Sequence, residues 1–200
     1  MGDRPGEDAA GQLGRVAAYE QRLRRTPLTA LLGVLAPTRP FAAFYRRVGP
    51  RLDRFLIRAS SGRVASRLYG LPVLLLSTTG AKSGQRRTTP LLYVRDGPDF
   101  AVAGTNFGHP GHPGWTANLL AGPAAVIEIG PERIGVTAEL AGAETYRRVW
   151  PRFLSVYPGY GHYADRRDVP PRMFLLHPRD AAGQDAGPPA EPGPGQGMAG

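Results

Sequence analysis

The sequence predicts an α+β fold in which a small antiparallel split β-barrel has helices packed outside it and follows an N-terminal helical extension. Three observations support this prediction. Residues 71–178 contain six short runs rich in Val, Leu, Ile, Thr and Tyr, which are typical of strands. Several links between these runs are only long enough for hairpins, whereas parallel pairs need longer crossovers. The residues before the first run carry aromatic side chains at helical spacing.

Turn residues separate the predicted strands. The turns are Gly80–Gln85, Asp96–Asp99 and Gly130–Glu132, and helical segments at 113–121 and 143–156 interrupt the series. The six predicted strands are Leu71–Thr79, Thr88–Arg95, Phe100–Thr105, Ala124–Ile129, Ile134–Leu140 and Met173–His177.

Composition divides the 200 residues into four segments. Residues 1–12 and 181–200 have no aromatic side chain to bury, and Gly and Pro dominate the second of them, so both are predicted to be disordered. Residues 13–69 form a predicted basic amphipathic helical extension, and residues 70–180 form the predicted split-barrel domain.

The extension carries most of the net charge of +9, because residues 13–69 contain twelve arginines against Glu20 and Asp53. Two interpretations of it stay open. The arginines can be the solvated back of helices that cover the core, or they can form a surface that contacts anionic membrane.

Several function classes are excluded or disfavoured. The chain has no cysteine, so disulfides, thiolate nucleophiles and cysteine-bound metals are excluded. His109 and His112 flank Pro110-Gly111 and do not share a helix face, so we expect loop histidines and no metal site. No nucleic-acid partner is expected.

The chain shows neither a secretory leader nor a run long enough to span a bilayer, so we expect a cytoplasmic protein, with a peripheral position at the inner face of the cell membrane as the alternative.

The densest chemical signal is the stretch Ser77–Pro90, which joins two predicted strands. Its two glycines allow successive N–H groups to point into one concavity, and Lys82, the single lysine of the chain, adds charge together with Arg86 and Arg87. Such a loop suits a phosphate, although a solvated basic hairpin is an equally open interpretation. The spacing matches neither a P-loop nor a Rossmann dinucleotide loop.

Three motifs in this order resemble the deazaflavin-dependent nitroreductase and quinone reductase family of actinobacteria. They are LPVLLLSTTGAKSGQRRTTPLLYVRDG, AGTNFGHPGHPGWTANLLAGP and YPGYGHY, and the resemblance covers residues 66–178. The resemblance implies that residues 70–180 bind the 8-hydroxy-5-deazaflavin coenzyme F420 on a split barrel. It also implies an oxidoreductase that passes hydride from reduced F420 to a flat acceptor, a quinone or a nitroaromatic.

The same resemblance implies the coenzyme-binding residues. The predicted turn Gly80–Gln85 and the strand after it would hold the phosphate, the segment after the third predicted strand would line the deazaflavin ring, and a helix would open beside the phosphate. These residues are Lys82, Ser83, Gly84, Arg87, Thr88, Thr89, Pro90, Leu91, Leu92, Gly104, Thr105, Asn106, Phe107, Trp115, Thr116, Ala117, Asn118 and Leu119.

Tyr157, Tyr160 and Tyr163 match the tyrosine cluster of the family, which implies that all three contact the substrate. The resemblance further implies that Tyr160, or water that it positions, donates the proton that balances hydride transfer. From the residues alone, an aromatic core is an equally open interpretation. Gly159 and Gly161 favour a loop, in which we expect an exposed phenol hydroxyl.

Two other functions stay open on the sequence. The first is a split-barrel flavoprotein that binds FMN. The second is a non-catalytic F420-binding carrier at the membrane surface, whose basic helices dock elsewhere.

Overall fold

The computed structural model describes residues 9–24 and 71–179. Residues 1–8, the extension from residue 25 to residue 70 and the tail from residue 180 lie outside the described residues. In chain order, the elements are α1 (Ala9–Arg24), β1 (Val73–Thr79), β2 (Arg86–Asp96), β3 (Asp99–Ala103), a 3₁₀ turn (Asn106–Gly108), α2 (Gly114–Ala121), β4 (Ala124–Ile129), β5 (Glu132–Leu140), α3 (Ala143–Val156), α4 (Gly159–Ala164) and β6 (Met173–Pro178).

The six strands close into one barrel in the order β1-β2-β3-β6-β5-β4, and every neighbouring pair is antiparallel. Closure removes the unpaired edges that an open sheet of this size would expose. The predicted α+β split-barrel fold class is therefore confirmed.

Alternation along the strands separates an inner core from an outer one. Every second side chain points into the barrel, as the two-residue period of a strand requires. Trp115 of α2 and Val16 of α1 join this inner cluster. The strand residues of the inner cluster are Leu74, Leu76, Tyr93, Phe100, Val102, Ala125, Ile127, Ile129, Ile134, Val136, Phe174 and Leu176.

The outer core lies where α3 and α4 cover the outward faces of β2, β3 and β6. Val149 and Phe153 of α3 are completely buried there, against outward residues such as Ala101 and Met173. Because α4 carries tyrosines into the same cluster, the covering helices bring aromatic side chains beside the barrel wall.

Helices α1 and α2 close opposite ends of the barrel. Arg15 of α1 pairs with Glu132 at 2.9 Å, and the Tyr19 ring lies against Gly130 in the β4–β5 turn. At the other end, Asn118 of α2 contacts the β1–β2 loop. Among the helices in the described ranges, none is long and apolar enough to cross a membrane.

Several predicted boundaries need correction. Helix α1 begins at Ala9, so residues 9–12 are helical and not part of a disordered N-terminus. Strand β2 begins at Arg86, two residues before its predicted start at Thr88, so Arg86 and Arg87 pair with β1. Gly159–Ala164 is a short helix and not a loop, and the extended residue Tyr157 separates it from α3. The other predicted strands differ from the observed ones by two residues or fewer at each end.

Candidate functional site

An open cleft of about 150 Å³ lies beside β2, the end of β3 and α4. Most of the lining is aliphatic or aromatic, and the phenol and threonine hydroxyls supply its polar groups. The lining residues are Leu71, Thr89, Pro90, Leu91, Leu92, Ala103, Gly104, Thr105, Asn106, Phe107, Pro113, Trp115, Tyr157, Tyr160 and Tyr163.

The loop between β1 and β2 leaves two backbone donors available. Gly80 donates its N–H to the carbonyl of Gln85 at 2.8 Å, and the Gly84 N–H returns to the Gly80 carbonyl at 2.8 Å. Gly84 has φ +66°, a left-handed conformation that glycine adopts without strain. Lys82 and Ser83 are exposed at the tip, and their N–H groups have no protein acceptor in the described part of the chain. These two amides and the Lys82 ammonium are therefore free to meet an anion.

Asn118 joins this loop to the barrel. Its Oδ1 accepts the Ala81 N–H at 3.0 Å, and its Nδ2 donates to Oγ1 of buried Thr78 at 3.0 Å. Because both ends of the amide are engaged, Asn118 fixes the loop against β1. Thr116 and Leu119 of the same helix are buried in the protein. The helix that was predicted to contact the coenzyme therefore reaches the cleft through Trp115.

Arg86 and Arg87 point to opposite faces of β2, as successive strand residues do. The Arg86 guanidinium donates to Ser77 Oγ at 3.2 Å and lies 4.0 Å from Glu128. Arg87 is exposed, and its Nη2 donates to Gln85 Oε1 at 3.0 Å. Arg86 is thus tied to the outer face of the barrel, and Arg87 is the strand arginine that stays next to the loop.

The three tyrosines form a buried cluster at one side of the cleft. Each is less than a tenth exposed, which contradicts the expectation of an exposed hydroxyl on a loop. The Tyr160 ring stacks on Phe153 with centroids 5.6 Å apart, and the hydroxyls of Tyr157 and Tyr163 are 3.4 Å apart. The cluster therefore completes the outer core and also lines the cleft. This arrangement is compatible with both interpretations of the sequence, an aromatic core and a substrate-contacting cluster.

Burial raises the pKa of the Tyr160 hydroxyl well above its ordinary value of 10.0, and the neighbouring Tyr163 raises it further. A hydrogen bond with the Thr105 side chain works in the opposite direction but is the smaller effect. Tyr160 consequently stays a neutral phenol at physiological pH, a form that keeps a proton to donate.

The cleft contains part of the predicted site. The cleft brings together Thr89–Leu92, the segment 104–107, Trp115 and the tyrosines, whereas Lys82, Ser83, Gly84, Arg87 and Thr88 lie toward the loop. Leu71, Ala103 and Pro113 also line the cleft and were not predicted. Their apolar side chains carry no chemical signal, although Leu71 and Pro113 are the first residues of a predicted strand and a predicted helix.

The comparisons with known proteins agree on one family. The family model described as F420H(2)-dependent quinone reductase matches residues 50–176. An F420H(2)-dependent quinone reductase of Mycobacterium tuberculosis is 43% identical over 111 residues, which cover 52% of this chain and 74% of that protein. A solved F420-H2 dependent reductase, FDR-A, is 31% identical, with a TM-score of 0.50 over 53% of this chain and 94% of its own.

Fold and site together define a small-barrel protein with an apolar cleft next to a cationic, glycine-containing loop. More specifically, the chain belongs to the F420H(2)-dependent quinone reductase family. It is an F420H2-dependent oxidoreductase, and its coenzyme is F420.

The residues present fit this coenzyme. The exposed Lys82 ammonium and two free loop amides suit its phosphate, and the cleft suits a flat ring. A single strand links the two, because β2 starts at the loop and reaches the cleft three residues later at Thr89, about 10 Å along the strand.

Proposed function

We propose that the protein reduces flat, apolar quinones, and nitroaromatics of similar shape, with hydride from reduced F420. The observation that carries this proposal is the arrangement along β2. The cationic loop lies at one end of the strand, and Thr89–Leu92 of the same strand line an apolar cleft. A ligand with a phosphate at one end and a flat ring at the other can occupy both places at once.

In this proposal, Lys82, Ser83 and Arg87 hold the phosphate, and Gly84 gives the loop the left-handed turn that presents their donors. Lys82 and Arg87 supply charge, and the loop amides supply directed hydrogen bonds, which are stronger when the acceptor is ionised. Thr88 contributes less, because its hydroxyl already lies 2.9 Å from Ser77 Oγ.

The acceptor binds in the cleft next to the tyrosines. Few polar groups line this space, so a charged or strongly hydrated acceptor would lose hydration without compensation. A quinone or nitroaromatic ring can stack on or meet the edge of the aromatic side chains. This argument favours flat acceptors with polar atoms at the rim of the ring.

Tyr160 supplies the proton in this reaction. When bound, reduced F420 supplies the hydride. Because burial keeps the Tyr160 phenol protonated, its hydroxyl can donate a hydrogen bond to an acceptor oxygen as negative charge develops there. The balancing proton comes from Tyr160 or from water that it positions, and solvent then returns a proton to the phenol. The Thr105 side chain is hydrogen-bonded to that hydroxyl.

The test is a fluorescence titration of the purified protein with F420, FMN and NADPH, followed by turnover with menadione and with a nitroaromatic. We expect binding of F420 in preference to FMN, and oxidation of reduced F420 by both acceptors. Preferred binding of FMN would favour a flavoprotein. Binding of F420 without turnover of any acceptor would favour a carrier.

We also propose a weak attraction of residues 13–69 to anionic membrane, which would bring the enzyme to the inner face of the cell membrane where apolar quinones reside. The positive charge of this extension supports the proposal, and Arg22, which lies within it on α1, is exposed. Sedimentation with anionic vesicles at low salt should recover more protein than sedimentation with neutral vesicles. Equal recovery would contradict it.

A further inference from the structure

One wall of the cleft has an uncommon backbone conformation. Asn106, Phe107 and Gly108 have φ values of 50°, 53° and 76°, so three successive residues are left-handed. Glycine tolerates this region, asparagine enters it at modest frequency, and a bulky phenylalanine rarely does. Such a conformation persists where the surrounding structure holds it, and it is often found at ligand sites.

Arg167, just beyond α4, holds this segment. Its Nη1 donates to the carbonyls of Thr105 at 3.3 Å, His109 at 2.9 Å and Gly111 at 2.7 Å. Its Nη2 lies 3.3 Å from Nδ1 of His112. One half-buried guanidinium therefore contacts four positions of a loop that is more than fifty residues away in sequence.

Local hydrogen bonds also support the segment, and Asn106 Nδ2 donates to the Pro110 carbonyl at 3.3 Å. The Gly108 N–H donates to the Thr105 carbonyl at 3.0 Å, and the His109 N–H donates to the Asn106 carbonyl at 3.0 Å. Because Arg167 contacts the carbonyls of Thr105 and His109, it binds both ends of the left-handed turn. The Arg167 guanidinium also supplies charge-assisted hydrogen bonds to these carbonyl oxygens.

The turn presents the Phe107 ring to the cleft. The ring meets Tyr163 edge to face, with centroids 6.0 Å apart and an interplanar angle of 72°. A change in the backbone at residue 107 would move this ring, since a side chain follows its own φ and ψ.

We propose that Arg167 is a positioning residue that sets the width of the acceptor end of the cleft by fixing the Phe107 ring against Tyr163. The inference rests on the proposed function, because the space beside the tyrosines is where the acceptor binds. Phe107 is the residue that determines acceptor size, and Arg167 acts through it.

The first test uses coenzyme-free protein and needs no turnover. Amide hydrogen exchange is compared for the parent, Arg167→Met and the control Arg147→Met, which removes an exposed arginine of α3. We expect exchange in residues 105–112 to become about tenfold faster in Arg167→Met, because charge-assisted hydrogen bonds hold the loop. The control should match the parent. Unchanged exchange in Arg167→Met would overturn the proposal.

The second test measures kcat/KM for 9,10-phenanthrenequinone, which has three rings, relative to 1,4-benzoquinone, which has one. Phe107→Ala should raise this ratio by about fivefold or more, because it removes part of an apolar wall. Arg167→Met should raise it in the same direction, through KM, while the F420 dissociation constant stays within about threefold. In the Phe107→Ala background, Arg167→Met should add little.

If Arg167→Met lowers the melting temperature but leaves the ratio at the parental value, the contact is merely structural and the proposal is wrong. Arg167→Lys keeps the charge and provides the same comparison should the methionine variant fail to fold. A parent that binds F420 but reduces neither quinone would contradict the proposed function, while the exchange comparison still decides whether Arg167 holds the loop.

Discussion

The Tyr93 hydroxyl, from inside the barrel, donates a 2.6 Å hydrogen bond to Oε1 of Glu20 on helix α1. Tyr93 is almost completely buried, and Glu20 also lies 3.5 Å from the Arg95 guanidinium. Burial raises the pKa of Tyr93, and the Glu20 carboxylate raises it further, so the phenol remains a donor. This contact attaches the N-terminal helix to the barrel interior.

Tyr93→Phe should lower the free energy of unfolding by about 1–3 kcal/mol, the range for losing a hydrogen bond to a charged group. The ring still fills the core, so the loss belongs to the hydroxyl. Urea denaturation measures it, with Tyr19→Phe on α1 as the matched control. Equal stability of Tyr93→Phe and the parent would mean that water replaces the phenol at Glu20.

Lys82→Ala should weaken F420 binding by about tenfold or more, because a charge-assisted contact contributes roughly 1.5–3 kcal/mol. The residue is exposed at a loop tip, so the fold should be unaffected and added salt should weaken binding to the parent. Fluorescence titration measures both effects. Arg133→Ala, an exposed arginine at the opposite end of the barrel, is the control. Parental affinity in folded Lys82→Ala would refute the assignment.

Tyr160→Phe should lower kcat with menadione while the F420 dissociation constant stays within a few fold, because the hydroxyl acts mainly in the transition state. Since water can enter an open cleft, we expect a loss of about 100-fold or less, at the low end for proton transfer. Steady-state kinetics measure it beside Tyr146→Phe, which lies outside the cleft lining. If Tyr160→Phe matches the parent while Tyr160→Ala fails, Tyr160 is a stacking wall.

Gly159→Ala should destabilise the protein, although alanine normally favours a helix. A Cβ at this position would lie 2.4 Å from Cε1 and 2.6 Å from Cζ of Tyr157, so that ring must move. Overpacking of this kind costs about 1–3 kcal/mol. Gly142→Ala is the control, because nothing lies within 4 Å of its added Cβ. Thermal unfolding of Gly159→Ala at or above the parental temperature would contradict the packing argument.

The imidazole of His112 should titrate below its ordinary pKa of 6.5. Partial burial lowers this pKa first, followed by the cations of Arg172 and Arg167. Below pH 6.5 the unfolded chain therefore takes up the proton more readily than the folded one, so stability falls as pH decreases through this window. NMR titration should show the lowered midpoint, and His112→Asn should reduce the loss of stability between neutral and acidic pH. A midpoint at or above 6.5 would disprove the shift.

Local sequence determined most of the fold. Alternating apolar residues predicted six strands, and Gly-rich turns between them predicted antiparallel pairing, because these signals act over a few neighbouring residues. The free amides beside Lys82 lie in a loop whose composition already indicated an anion. The motifs likewise indicated which strand, which turn and which tyrosines would share one cleft.

Tertiary structure decided which side chains are available there. Asn118 was predicted to contact the coenzyme, and in the structure its amide fixes the β1–β2 loop. Arg86 added charge to the predicted phosphate loop, and in the structure it donates to Ser77 on the outer face of the barrel. The burial of Tyr160, the reach of Arg167 and the contact between Glu20 and Tyr93 depend on segments far apart in the chain. No local period encodes such contacts, since they exist only once the barrel has closed and the helices have packed against it.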